Sequence, residues 1–298
     1  MNRYSDIIKN WFRNLNPIDI ALIMTLILIF TYMEEALNLR RIVQYTSAGG
    51  LLFYRYIGRS PWYWLIVTAL MTYGHAHLWF SIDNHKYLMT YWSLAITLSL
   101  FLKEPQDVLK KNATLLIGLC FLFATLWKVI TPEYMNGSFF EFLLIGGDSR
   151  FEAFSIFLTG ISVETIEQNR EIIRSISASA EPALELQAGG RVRVVALFLT
   201  WWTVFIEGAI ALLFLFDRHR LFKKGNLKNY VLWLFILSTY PVASVIGFAW
   251  LITAMGTAQI CSENNRLKLG YLLLFLLLAF FSERAISYLK VVGGLFYF

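Results

Sequence analysis

Apolar runs long enough to cross a bilayer recur along the chain with only short polar links between them. The runs at 61–80, 85–102, 113–130 and 194–216 each approach the roughly 20 apolar residues that span a hydrocarbon core. Backbone groups in hydrocarbon must bond to one another, so such runs fold as helices. The composition agrees: 57% of the 298 residues are hydrophobic and 15% are charged, with a mean hydropathy of +0.56. A water-soluble domain of this length carries more charge. The expected fold class is therefore all-α, a polytopic helical membrane bundle of about seven transmembrane helices with interfacial or re-entrant pieces.

The remaining expected spans are 17–33, 230–255 and 269–281, with Pro17 suited to a first helical position. No small-residue cleavage site follows the first run, so it is expected to stay in place as a span. The piece 51–57, interrupted by Arg55, is too short to cross and reads as interfacial or re-entrant. The tail 287–298 is apolar enough to lie in the interface. The chain reads as a single domain, 1–298, with a long extramembrane connection at about 138–193. Ile166, Ile172, Ile173 and Ile176 are spaced among charges in that connection, as on an amphipathic helix. The lipid bilayer is the first partner implied, and no basic run is dense enough for nucleic acid. Cys120 lies in an apolar run and Cys261 in a polar link, and the two make no metal motif.

Loop charge sets an orientation. The segments 40–59, 103–111 and 218–228 and the C-terminus share one face, which holds more Lys and Arg and is expected to be cytoplasmic. The N-terminal Arg3, Lys9 and Arg13 oppose this assignment. The turn at His85, the connection 138–193 and Lys128 fall on the other face. The localisation implied is the inner membrane of a bacterial-type cell, with the C-terminus cytoplasmic.

Polar residues inside such a chain carry the functional information. Asp83, Asn84, His85 and Tyr87 lie in a polar knot, 81–88, between two apolar runs. An Asp or Asn before an apolar run is an ordinary N-cap, whereas a neutral imidazole at a span entrance can also accept a proton or hold a polar ligand. His75 and His77 stand nearby, but an i, i+2 pair points to different faces of a helix, and no metal site is assigned. Lys128, near a span end, either snorkels to the headgroups or faces the interior, where desolvation makes it a base. Glu207 lies well inside the run 194–216 and needs either a structural interhelix partner or a functional one. Trp201 and Trp202, one to two turns earlier, are candidates to line the same cavity.

Asp83-Asn84-His85-Lys86-Tyr87-Leu88 resembles the Asn-Asn-His-x-Tyr-Leu signature of the HTTM superfamily. That superfamily includes the vitamin K-dependent γ-glutamyl carboxylase and its bacterial relatives. Leu126-Trp127-Lys128-Val129 with Tyr134-Met135-Asn136-Gly137 is similar to the family's Lys, hydrophobic, aromatic and Gly segment. Glu207 falls where the family often has an acidic residue, and Ile246-Gly247-Phe248-Ala249-Trp250 is similar to its Ile-Gly-x-Phe segment. The resemblance runs through about 17–282. The chain departs from it in having Asp83 for the first Asn and no His in Leu237-Ser238-Thr239-Tyr240-Pro241. The resemblance implies a reduced, vitamin K-like quinone as cofactor, Lys128 as base, and His85 as the residue that positions or accepts a proton. Asp83, Asn84, Tyr87, Glu207 and Trp201 would then bind substrate or cofactor. Two other readings stay open: a non-catalytic membrane subunit that docks other membrane proteins, and a factor that matures a secreted peptide substrate. A transporter is disfavoured, since no internal repeat is visible.

Overall fold

The computed structural model of the chain describes residues 16–32, 37–77, 79–80, 82–148, 151–178, 186–217, 226–240 and 245–280. The N-terminal charges, most of the 218–228 loop and the 287–298 tail lie outside the described residues. Every regular element among the described residues is helical. In chain order these are α1 Pro17–Tyr32, α2 Leu37–Leu52, α3 Tyr54–Ile57, α4 Pro61–His77, α5 Asn84–Leu100, α6 Pro105–Ile130, α7 Pro132–Met135 and α8 Ser138–Phe142. A π-helical turn, Leu143–Gly147, leads to α9 Glu152–Thr159, α10 Val163–Ala178, α11 Gly190–Leu215, α12 Leu227–Thr239, α13 Ile246–Ala258 and α14 Asn265–Phe280. The chain divides into two compact units, one of Met1–Leu119 with Val245–Phe298 and the other of Cys120–Ser244.

In the first unit, Asn16 Oδ1 accepts the Ile18 N–H and starts α1 where Pro17 cannot donate. The chain then turns back. Gln44 Nε2 of α2 donates to the Phe30 carbonyl (2.9 Å), and beyond α2 the Tyr54 hydroxyl reaches Asp19 Oδ1 (2.7 Å). Arg59 pairs with the same Asp19 (2.5 Å). Burial, then the adjacent Asp19, push the Tyr54 phenol above its ordinary range. Thus 37–52 is one helix returning along α1, and the piece 51–57 is the end of α2 plus the single turn α3. Arg40, Arg41 and Gln44 made this segment look polar, yet Val43 and Ser47, one turn apart, are fully buried. Gly50 sits on the same side, where a Cβ would lie 2.0 Å from the Tyr63 hydroxyl.

The α4–α5 hairpin is joined by hydroxyls: Thr68 Oγ1 meets Ser93 Oγ at 2.7 Å and Thr97 Oγ1 at 2.9 Å. Trp64 and Trp92 are wholly buried, and each indole N–H has a partner, the Gly58 carbonyl and Thr25 Oγ1. Helix α13 is buried at every position but Phe248. It runs antiparallel to α1, with Trp250 edge-on to Tyr32 (5.3 Å) and the Thr257 hydroxyl donating to Met24 Sδ (3.5 Å). Trp250 also stacks on Phe275 of α14 (4.6 Å).

In the second unit, α11 is the spine. Tyr134, Phe140, Leu144, Ile145, Ile166, Val192, Ala196 and Leu199 form one core beneath its first half. The connection 138–193 therefore carries helices folded on their own apolar interior. Asn169 ties it together, donating to the Ile145 and Gln187 carbonyls while its Oδ1 accepts the Gln187 N–H. Helix α12 lies beside α6, with Phe235 edge-on to Phe121 at 4.9 Å.

Two helices, α6 and α11, are long and apolar enough to cross a membrane. Each has 26 residues, about 39 Å at 1.5 Å per residue. Helices α1, α12 and α13 are apolar but shorter. The single span expected over 230–255 is two helices, α12 and α13, which belong to different units. Pro241, which has no N–H to continue a helix, lies between them in the sequence.

Helix α13 crosses α14 at Gly256, where an added Cβ would lie 2.5 Å from the buried Tyr271 ring. Gly256→Ala should cost about 1–3 kcal/mol by overpacking. Gly247→Ala, whose Cβ would make ordinary contact with Tyr32 at 3.4 Å, should cost much less. Thermal unfolding of the two purified variants checks the difference.

Candidate functional site

Lys128 lies in the last turn of α6, and Glu207 lies in the second half of α11. Lys128 Nζ donates to Glu207 Oε1. The two side chains are only 19% and 8% exposed, so this pair is not a surface ion pair screened by water. Glycine at 208 keeps this stretch of α11 thin beside α6, with Thr125 Cγ2 3.6 Å from where a Cβ would stand.

Helix α7, built on the turn after α6, adds Tyr134. Its ring centroid is 5.3 Å from Lys128 Nζ, a cation–π contact. Its hydroxyl is held by Thr203 Oγ1 (2.6 Å), and Thr200 Oγ1 donates to the Tyr134 carbonyl (3.3 Å). Thr200, Thr203 and Glu207 lie at i, i+3 and i+7 and so share one face of α11. Burial pushes the Tyr134 phenol above its ordinary range, so it stays protonated at working pH.

Glu207 Oε2 is buried and has no hydrogen-bond partner. Buried carboxylate oxygens are normally paired, because desolvation is costly. The pair shares one ionisable proton between an amine and a carboxylate, and one further acceptor position is open. That is the chemistry of a proton acceptor for a ligand bearing an O–H or N–H.

The chain matches no family model, no curated protein and no solved structure. Its chemistry is therefore read from its own side chains.

The other expected site residues are spread more widely. Trp201 is exposed and packs on Phe205 (5.9 Å). It lies six positions from Glu207, roughly 120° around the helix, and so does not share that carboxylate's face. His85 falls in the first unit, while Lys128 and Glu207 fall in the second. The His85 imidazole is 6.4 Å from the Phe248 ring of α13. Asp83 does precede α5 as its N-cap residue, but it makes no side-chain cap bond; its carbonyl accepts the Lys86 N–H (2.9 Å). Asn84 is exposed, and the Tyr87 hydroxyl donates to the Trp79 carbonyl (2.5 Å). His75 is buried, its Nδ1 2.6 Å from Thr90 Oγ1. His77 is exposed against Tyr73. Among the described residues no three His, Cys, Asp or Glu side chains converge as metal ligands.

Thr200 and Thr203 are not evident as site residues from the sequence, and Tyr134 enters there only within a family-like motif and with no role of its own. The threonines were detectable in principle, since both lie on the helix face of Glu207.

Removing one partner of the pair leaves the other charge buried alone. Lys128→Ala and Glu207→Ala should each cost about 3–5 kcal/mol. Lys128→Met/Glu207→Leu, which removes both charges and keeps the volume, should stay within about 1 kcal/mol of the wild type or exceed it. A double-mutant cycle by thermal unfolding reads this coupling.

Proposed function

We propose that the chain is an integral membrane protein of the HTTM type. Its Lys128–Glu207 pair accepts a proton from a bound ligand, and a reduced quinone is the implied cofactor class. The reading is carried by a buried Lys–Glu pair with one carboxylate oxygen lacking a donor, held on two helices apolar enough to cross a membrane. The surface supports a bilayer as solvent. Phe123, Trp127 and Ile130 of α6 and Phe198, Phe205 and Leu212 of α11 are exposed at helical spacing, an apolar stripe on each helix that suits lipid better than water. In this reading α1, α2, α4, α5, α12, α13 and α14 are also membrane helices, α2 carrying the chain back to the end at which α4 starts.

Orientation follows from charge in the first unit. Asn16, Asp107, Lys110 and Cys261 line one cavity, and Arg59 bonds Asp19 near the same end. That end also carries Lys103, Lys111 and Arg266, and is taken as cytoplasmic. Arg3, Lys9 and Arg13 lie outside the described residues. Helix α14 starts at this end, and the C-terminus lies outside the described residues.

The orphaned Oε2 fits a hydroxyl donor. A reduced quinone, when bound, supplies such a hydroxyl and reducing equivalents. Glu207 Oε1 is taken by Lys128, so the incoming proton is accepted at Oε2. Lys128 stays hydrogen-bonded to Oε1 and holds the local charge. Lys128 Nζ becomes the accepting atom when the pair's shared proton resides on Glu207. The Tyr134 ring covers Nζ on one side and limits water there. His85 belongs to the first unit and is not part of this site.

Native mass spectrometry after gentle detergent purification, with extraction of bound lipid and quinone, tests the reading. The wild type should retain a quinone, and Lys128→Met/Glu207→Leu should lose it while remaining folded. An empty wild-type chain in a fixed ratio with other membrane proteins overturns this in favour of a non-catalytic subunit. An empty chain whose removal blocks processing of a secreted peptide overturns it in favour of a maturation factor.

A further inference from the structure

A second reactive cluster lies in the first unit. The start of α1, the start of α6 and the turn between α13 and α14 enclose a cavity of about 230 Å³. Asn16, Gln106, Asp107, Lys110, Cys261 and Glu263 supply its polar lining. Lys110 Nζ donates to Cys261 Sγ at 3.2 Å. Two carboxylates line the same space, yet among the described residues Lys110 Nζ makes no ion pair and bonds the sulfur instead. The thiol is free and exposed, so small oxidants reach it. Lys110 and Cys261 are 151 positions apart, which makes their meeting a product of tertiary structure.

We propose that Lys110 and Cys261 are an oxidation-sensitive covalent clasp, closed by a hydroperoxide. The Cys261 thiolate attacks one peroxide oxygen, the O–O bond breaks, and the departing hydroxide takes a proton and leaves as water. Sulfur is oxidised by two electrons to the sulfenic acid, and the peroxide is reduced. The free amine of Lys110 then attacks Sγ, the S–O bond breaks, nitrogen gives up one proton and a second water leaves. The product is a sulfenamide, Cys Sγ–Nζ Lys. In sum, thiol, amine and hydrogen peroxide give the sulfenamide and two waters. Thiol reduction reverses it. The amine lies close enough to intercept the sulfenic acid before a second oxidation, and the cavity admits the small oxidant and releases water. The clasp would tie the N-terminal turn of α6 to the α13–α14 turn.

The test is hydrogen peroxide treatment of the intact, detergent-purified chain, followed by peptide mapping by mass spectrometry. The expected product joins the Lys110 and Cys261 peptides, is about 2 Da lighter than their sum, resists trypsin at Lys110 and is released by dithiothreitol. Lys110→Arg should lose the cross-link while Cys261 still forms a sulfenic acid that dimedone traps. Unchanged thermal unfolding of unoxidised Lys110→Arg and Cys261→Ser would show that neither variant merely misfolds. Wild-type Cys261 that stays unmodified, or runs on to sulfinic acid without the cross-link, overturns the proposal.

Discussion

A polar group buried among apolar helices has to bond to its own helix or to a neighbouring one. Most of the hydroxyls here take the first course. Thr25, Ser99, Thr125 and Thr253 each donate to the carbonyl four residues back, at 2.6–2.7 Å. Apolar helices can then carry hydroxyls without exposing an unmet donor. The indoles take the second course: Trp64, Trp92 and Trp250 each hold a partner on another segment. Helix packing in the first unit follows from these bonds and from the close approaches at Gly50 and Gly256.

Several buried side-chain atoms among the described residues lack a hydrogen-bond partner, Ser47 Oγ and Asn265 Oδ1 among them, and Glu207 supplies the one carboxylate oxygen in that set. Its Oε1 has Lys128, but its Oε2 has nothing, although the surrounding hydroxyls of Thr200, Thr203 and Tyr134 are already engaged. The hydroxyls beside the pair are committed to fixing Tyr134, which in turn stacks on the cation. The surroundings hold the pair in place and leave one oxygen available.

The sequence indicates the helical class and most helix positions, because apolar runs bounded by Pro, Gly and charge have few other outcomes. Expected bounds for α1, α4, α5 and α11 lie within a few residues of those found. Helix α2 was hidden because its buried stripe, Val43 and Ser47, is narrow and its remaining surface polar. The continuous reading of 230–255 gave hydropathy more weight than Pro241, a residue with no N–H to continue a helix. Lys128 and Glu207 each drew attention as costly residues in apolar runs. Their mutual contact, across 79 positions, is a tertiary fact that no periodicity encodes. The same holds for Lys110 and Cys261, which look ordinary where they stand in the chain.

The hydroxyl triangle of Thr68, Ser93 and Thr97 fixes more than affinity between α4 and α5. Ser93 and Thr97 are one turn apart, and Thr68 sits between them like a pin between two teeth. Sliding one helix past the other by a turn would withdraw the pin from at least one tooth and leave a hydroxyl dry and unmatched. The hairpin is therefore a fixed-register strut, and any movement of the polar knot at its tip, His85 included, has to carry both helices with it.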